Sequence, residues 1–277
     1  MMRKKQQTLG ERLSAHFSII AITVLILTGV ESQQALAQTP EEQGLAIAIE
    51  AEKRDTGWKD TSAKLMMTLT NRYGESSIRE LSIRVLEITG DGDKSLTIFH
   101  TPNDVRGTAF LSYTHVKGAD DQWLYLPALK RIKRISTGNK SGPFMGSEFA
   151  FEDLASQEIE KYSYRYLGDD TVNGMEAFIV ERIPNDKRSG YTRQNVWIDK
   201  AEYRIQKIEF YDRKDSHLKT LIYLSYQQYL EQYWRADRME MKNHQTGKAT
   251  TLEWSDYSFD NGLSNRDFDK STLKRAR

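Results

Sequence analysis

Five histidines and two pairs of adjacent carboxylates are the side chains of this 277-residue sequence best suited to catalysis. His100, His115, His217 and His244 could serve as general bases or metal ligands, but they lie far apart and show no ligand spacing. Asp120-Asp121 and Glu152-Asp153 could supply acid–base pairs. Neighbouring residues on a strand or helix point apart, however, so neither pair is a site by itself. Asp91-Gly92-Asp93 opens like a calcium loop but lacks its later glycine and closing glutamate, and reads as a hairpin turn. The absence of cysteine excludes a thiolate nucleophile, a thiolate metal site, a disulfide scaffold and a lipidated N-terminus. The nucleophile elbow, dinucleotide fingerprint, phosphate loop and His-Glu-x-x-His motif are all missing from the sequence. No catalytic residue, metal or cofactor is expected, and a periplasmic hydrolase is the weakest of the readings kept open.

The sequence is richer in residues suited to binding apolar matter. Pro143 to Leu154 forms a glycine-flanked loop carrying Phe144, Met145, Phe149, Phe151 and Leu154, more apolar surface than an exposed loop should show. It reads either as a lid over a hydrophobic cavity or as a plug that completes the core. With Leu124 and Leu126 of the preceding strand, these five residues are the expected lining or closure of a lipid site. Met66, Met67, Met239 and Met241 would add an adaptable wall. Between strand and loop, Lys130, Arg131, Lys133 and Arg134 form a dense basic run. It fits an edge strand protected by charge or a docking surface for anionic headgroups or an acidic partner.

These groups must be positioned by sheet. Thr39-Pro40-Glu41-Glu42 predicts a helix start, with Leu45, Ile47, Ala48 and Ala51 continuing the pattern to about Gly57. From Trp58 the period shifts toward two. Leu81, Ile83 and Val85 alternate with polar neighbours, and Met239-Met241 and Thr250-Leu252-Trp254 flank a Thr246-Gly247-Lys248 turn. Further turns are predicted at 71–74, 90–93, 168–170, 173–174, 184–190 and 212–216, giving ten or eleven short strands and no parallel βαβ units. Lys219 to Leu230 is apolar on both faces, as in a strongly curved covered sheet or a sandwich core.

Composition agrees with a globular chain: 38% hydrophobic and 29% charged residues exclude general disorder and a polytopic membrane protein. Forty basic against 39 acidic residues give no reason to expect nucleic acid. Arg3, Lys4, Lys5 and Arg12 precede an apolar run from Phe17 to Val30, and Ala35-Leu36-Ala37 has the small-x-small pattern of signal cleavage. We expect residues 1–37 to be a signal peptide cut after Ala37, with a retained anchor as the alternative, and residues 38–277 to form one exported, monomeric domain. Export without cysteine fits a bacterial periplasm.

Trp123 to Arg131, Phe144 to Phe149 and Phe151 to Leu154 resemble the outer-membrane lipoprotein-sorting proteins of the LolA-like group. Phe210-Tyr211-Asp212, the Met241 to Leu252 hairpin and the Phe268 to Leu273 ending extend the likeness over nearly all of residues 38–277. The resemblance implies an incomplete antiparallel β-barrel of about eleven strands, closed by helices and a lid loop, whose interior holds acyl chains. It also implies a periplasmic carrier of lipid or lipoprotein, alongside an exporter of the resistance-nodulation-division (RND) type. A cargo-free adaptor docking on such an exporter is the rival reading.

Overall fold

The computed structural model describes residues 38–275, so the expected signal segment and its Ala35 and Ala37 lie outside the described residues. Helix α1 spans Pro40–Arg54 and is fixed at its start by a reciprocal cap. The Glu42 backbone N–H donates to Thr39 Oγ1 while Glu42 Oε2 accepts from the Thr39 N–H. Ile47 turns into the protein interior, and α1 packs on strands β7 (Tyr162–Val172) and β8 (Met175–Pro184). The contact is close because residue 44 is glycine. A Cβ there would sit 2.7 Å from the backbone of Arg165 and Tyr166.

Thirteen strands then form one antiparallel sheet. The first half is a meander of β1 (Asp60–Thr70), β2 (Ser76–Leu86), β3 (Lys94–Thr101), β4 (Ala109–Tyr113), β5 (Asp121–Leu126) and β6 (Arg131–Ile135). The second begins with β7 and β8 and continues through β9 (Tyr191–Asp199), β10 (Ile205–Asp212), β11 (His217–Tyr229), β12 (Tyr233–Asn243) and β13 (Ala249–Phe259). The halves join where β1 pairs with β13, leaving β6 and β7 as the two ends of the sheet. Those ends are consecutive in sequence, so segment 136–161 must cross from one edge to the other.

The sheet is strongly curled. Laid flat, thirteen strands would extend about 60 Å at ~4.8 Å per strand. Yet Leu65, Phe99, Leu124, Val180, Leu221 and Leu252, spread from β5 to β8, belong to one buried cluster on one face. Only a sheet bent into an open barrel brings these strands together. On the opposite face a smaller cluster, including Leu96, Ile98 and Leu111, is covered by the C-terminal turns through Phe268 and Leu273, both fully buried. Asp60 holds the chain leading to them: its carboxylate accepts the backbone N–H groups of Asn261, Gly262 and Leu263 at 2.8–3.2 Å.

The incomplete antiparallel barrel is as expected, but the count of about eleven strands is corrected to thirteen. Two of the turns that went unpredicted use left-handed backbone without glycine. Tyr203 (φ 58°) turns β9 into β10, and Leu230 and Glu231 (φ 51° and 57°) turn β11 into β12. Such turns leave no Gly, Pro or Asn punctuation in the sequence. The predicted turn at 168–170 is instead a bulge inside β7, where the register with β8 shifts between Tyr166 and Gly168. In β11, Ser225 has φ 56°, and the rings of Tyr223 and Tyr226 come within 6.5 Å of each other. That left-handed residue interrupts strict alternation and brings Tyr226 beside Tyr223, whereas Ile222 and Leu224 before it alternate with Leu221 and Tyr223.

Candidate functional site

Segment 136–161 is a chain of short 3-10 turns drawn over the open side of the barrel. Its centre is a tight loop closed by a bridge between Pro143 and Ala150. The Phe144 N–H donates to the Phe149 carbonyl at 2.7 Å, and the buried Ser147 hydroxyl donates to the Phe144 carbonyl at 2.7 Å. Met145 takes a left-handed backbone (φ 50°). Ser147 therefore tightens a turn rather than capping a helix, while Asp153 does the capping, its Oδ2 accepting the Ala150 N–H at 2.7 Å. The loop's aromatic side chains point inward. Phe144 is 1% exposed and its ring centre lies 5.2–5.8 Å from those of Phe99, Phe110 and Phe151.

All seven residues expected to line or close a lipid site meet in the same apolar cluster. Leu124, Phe144 and Phe149 are buried in it; Leu126, Met145, Phe151 and Leu154 pack against it while keeping some accessible surface. Further along the same concave face, Tyr166, Phe178, Ile205, Tyr223, Met239 and Trp254 also pack on the cluster and remain partly accessible. The interior thus has a filled end under the loop and an end whose apolar wall still presents surface.

Polar side chains fasten the loop. One row across the concave face runs Tyr164, Arg182, Gln194, Phe210, Lys219 and Asn243, each paired with its neighbour on the next strand. Lys219, only 3% exposed, donates to Asp153 Oδ2 at 2.7 Å and to the Glu148 carbonyl at 2.8 Å. Its ammonium also lies 5.0 Å from the Phe210 ring centre and 5.2 Å from that of Tyr191. Tyr191 donates its hydroxyl to Asp153 Oδ1 at 2.8 Å, Asn243 donates to Glu148 at 2.7 Å, and Arg79 donates to the Met145 carbonyl. Glu152 accepts from the Ser189 hydroxyl and the Gly190 N–H, both at 2.8 Å. Gly190 must be glycine for this seat: a Cβ would stand 2.7 Å from that of Ser141.

The sequence reading overlooked Lys219, Arg182 and Arg79. The signal for Lys219 was present, because Lys219, Leu221 and Tyr223 share one face of a strand, and a lysine in an inward row needs a partner.

The candidate acid–base pairs are held in structural bonds. Besides the Glu152 and Asp153 contacts, Asp120 accepts from Lys161, and Asp121 pairs with Arg134 and with His115. His217 and His244, distant in sequence, come together with ring centres 4.3 Å apart, and both bond the Thr220 hydroxyl. Among the described residues no group of three or more His, Asp or Glu side chains could hold a metal ion. Lys130, Arg131, Lys133 and Arg134 lie on and just before β6, at the sheet edge, and all four are exposed.

Acidic groups beneath the loop carry a pH dependence. Burial pushes Asp93 up to about 7, aided by the nearby Glu158 and Glu87 carboxylates, and burial also raises Glu152 and Glu158. An acid whose folded pKa is raised binds more protons folded than unfolded, so the domain loses stability as pH rises from about 4 to about 7. Asp93→Asn keeps an acceptor for the Ile88 N–H and removes the buried charge. We expect it to raise Tm by several degrees at pH 8, at ~2–4 °C per kcal/mol, and to leave Tm nearly unchanged at pH 4. Thermal melts at the two pH values check this.

A groove of about 700 Å³ opens at the seam between the sheet ends, walled by Asp120, Lys140, Glu152, Lys161, Tyr162 and Asp186. Lys140 Nζ bridges it to Asp186 at 2.8 Å and to Glu152 at 4.0 Å. Charged side chains rim the groove, and Ile135, a member of the apolar cluster, also lines it.

Comparison with known proteins agrees with this architecture. A family model described as "uncharacterized protein" matches residues 91–275. No curated protein matches the sequence. Among solved structures, an outer membrane lipoprotein-sorting protein domain from Vibrio parahaemolyticus is 59% identical with a TM-score of 0.84, covering 85% of this chain and 100% of that one. A DUF1329 family protein from Desulfovibrio piger is 29% identical with a TM-score of 0.81, over 85% of this chain and 100% of its own. A LolA superfamily protein from Nitrosomonas europaea, 20% identical with a TM-score of 0.66 over 85% of this chain and 99% of its own, shares the fold. With a curled antiparallel sheet, an apolar concave face and a 59% identical relative covering 85% of it, this chain belongs to the outer-membrane lipoprotein-sorting proteins.

Proposed function

We propose that the protein is a periplasmic carrier that shelters acyl chains of a lipid or lipoprotein against the concave face of its open barrel. The observation that carries this reading is the convergence of inward side chains from both halves of the sheet and from the loop into one apolar cluster. The sorting role in the name of the 59% identical relative supports it. Each buried methylene contributes about 0.8 kcal/mol, so one long acyl chain gains on the order of 10 kcal/mol before ordering costs. Phe144 and Phe149 occupy the end of the face nearest the loop, so a long chain enters as the loop lifts and its rings give way to methylenes.

In the same proposal the basic edge at Lys130, Arg131, Lys133 and Arg134 docks the carrier on its acidic partner, an RND-type exporter, and segment 1–37 directs export and is removed. The acyl-chain reading is tested by purifying the protein from its own periplasm without detergent and measuring its mass under native conditions. The expected spectrum contains adducts that organic extraction identifies as acyl-bearing lipid. A protein that is empty, and whose Tm does not rise when acyl lipids are added, would overturn the carrier and favour the cargo-free adaptor.

A further inference from the structure

The row that fastens the loop contains one charge that no carboxylate among the described residues balances. Arg182 is 7% exposed and stands between Tyr164 on β7 and Gln194 on β9, on the same face as Val180 and Phe178. In that row Lys219 has Asp153, and elsewhere in the sheet Arg204 has the buried Asp199 at 2.9 Å. Arg182 has no carboxylate partner among the described residues. Its Nε donates to the neutral Gln194 Oε1, and its two terminal nitrogens make no hydrogen bond to the described residues. No buried side-chain nitrogen or oxygen among the described residues lacks a partner, so these two nitrogens reach accessible space, where an anion can meet a charge that is otherwise costly to leave unpaired.

The surroundings of the guanidinium suit an anion. Its carbon lies 5.2 Å from the ring centre of Tyr162. Tyr164 on β7 is the cross-strand neighbour of Arg182, and neither the Tyr162 nor the Tyr164 hydroxyl has a hydrogen-bond partner among the described residues. Burial raises both phenols, so each remains an O–H donor at neutral pH. The seam groove reaches Tyr162 and Pro184, giving the site an approach from outside. One step deeper along the same strands the row becomes Val180, Val196, Ile208 and Leu221, wholly apolar.

We infer that Arg182, with the phenols of Tyr162 and Tyr164, anchors the monoanionic headgroup of a single-chain amphiphile whose tail lies beyond the buried Val180–Leu221 row, along the partly accessible wall of Tyr166, Phe178, Tyr223 and Met239. One unpaired guanidinium calls for one negative charge, and its planar fork matches a carboxylate or a phosphodiester through two parallel N–H bonds. This assignment rests on the acyl-carrier reading above and adds the polarity and place of the headgroup.

The test uses the full chain, stripped of lipid, titrated by calorimetry with palmitate, with its neutral methyl ester, and with palmitoyl-lysophosphatidylglycerol. Palmitate should bind at least about tenfold tighter than the methyl ester. Arg182→Gln should remove that preference while changing methyl-ester affinity by less than about twofold. Arg182→Lys, which keeps the charge and loses the fork, should fall between. Lysophosphatidylglycerol binding that is equally sensitive to Arg182→Gln supports a general monoanion site, and its failure to bind supports a carboxylate site. Equal affinity of the wild-type protein for palmitate and methyl ester overturns the headgroup assignment alone and needs no variant to be seen. If neither amphiphile binds, the carrier reading falls, and this inference with it.

Discussion

Lys219→Met should lower stability by about 3–5 kcal/mol at pH 7, the usual cost of breaking a buried ion pair from one side. The substitution removes a charge that is almost wholly enclosed, together with its bonds to Asp153 and to the Glu148 carbonyl. Asp153 is left with the Tyr191 hydroxyl and the Ala150 N–H as partners for a full negative charge. At ~2–4 °C per kcal/mol for a domain of this size, Tm should fall by roughly 10 °C. Adding Asp153→Asn to Lys219→Met should recover a large part of the loss, because the orphaned charge goes with it, so the two changes will be strongly non-additive. Amide exchange in 144–154 should quicken in the single variant far more than in the β1–β2 hairpin. Chemical denaturation of the four proteins of the cycle, with exchange measured on two, checks all of this. A loss below about 1 kcal/mol, or additivity, would show that the pair does not fasten the loop.

Phe144→Ala should have a comparable effect on the empty protein and a different one on the loaded protein. The ring is buried among Phe99, Phe110 and Phe151, and removing a buried phenylalanine side chain costs about 3–5 kcal/mol through lost transfer energy and the cavity left behind. If acyl methylenes replace this ring when cargo enters, the cavity is filled in the complex and most of the penalty disappears. The rise in Tm on adding palmitate should therefore be larger in Phe144→Ala than in wild type. A plug that merely completes the core predicts the same destabilisation with no added gain from lipid. The pair of melts, with and without palmitate, separates the two roles that the sequence left open for this loop.

How much of this was readable from sequence depends on what each feature needs. Helix α1 was legible because its start is local: Thr39, Pro40 and Glu42 satisfy one another within a single turn. The antiparallel sheet and the inward loop with Phe144 and Phe149 were legible because alternation and an over-apolar loop are visible in one dimension, whereas the barrel form followed only from the family resemblance. The strand count was not, since Tyr203, Leu230 and Glu231 turn the chain in left-handed backbone that their side chains do not advertise. The polar fastening was hidden for another reason. Asp153 meets Lys219, and Glu148 meets Asn243, only after the sheet has curled far enough for the segment joining its two ends to cross the opening. The His217–His244 pair is likewise a product of strand register between β11 and β12, with no trace in spacing along the chain.

The central claim is that an acyl chain lies on the concave face beneath the loop. The most direct measurement is photolabelling of the full chain with a palmitate analogue carrying a mid-chain diazirine, followed by peptide mapping of the adducts. The account predicts labels on inward residues such as Tyr166, Val196, Tyr223, Met239 and the 144–154 loop, competed away by unlabelled palmitate. Labels confined to outward positions such as Ile78, Leu129 and Leu167, or labelling that palmitate does not displace, would contradict it.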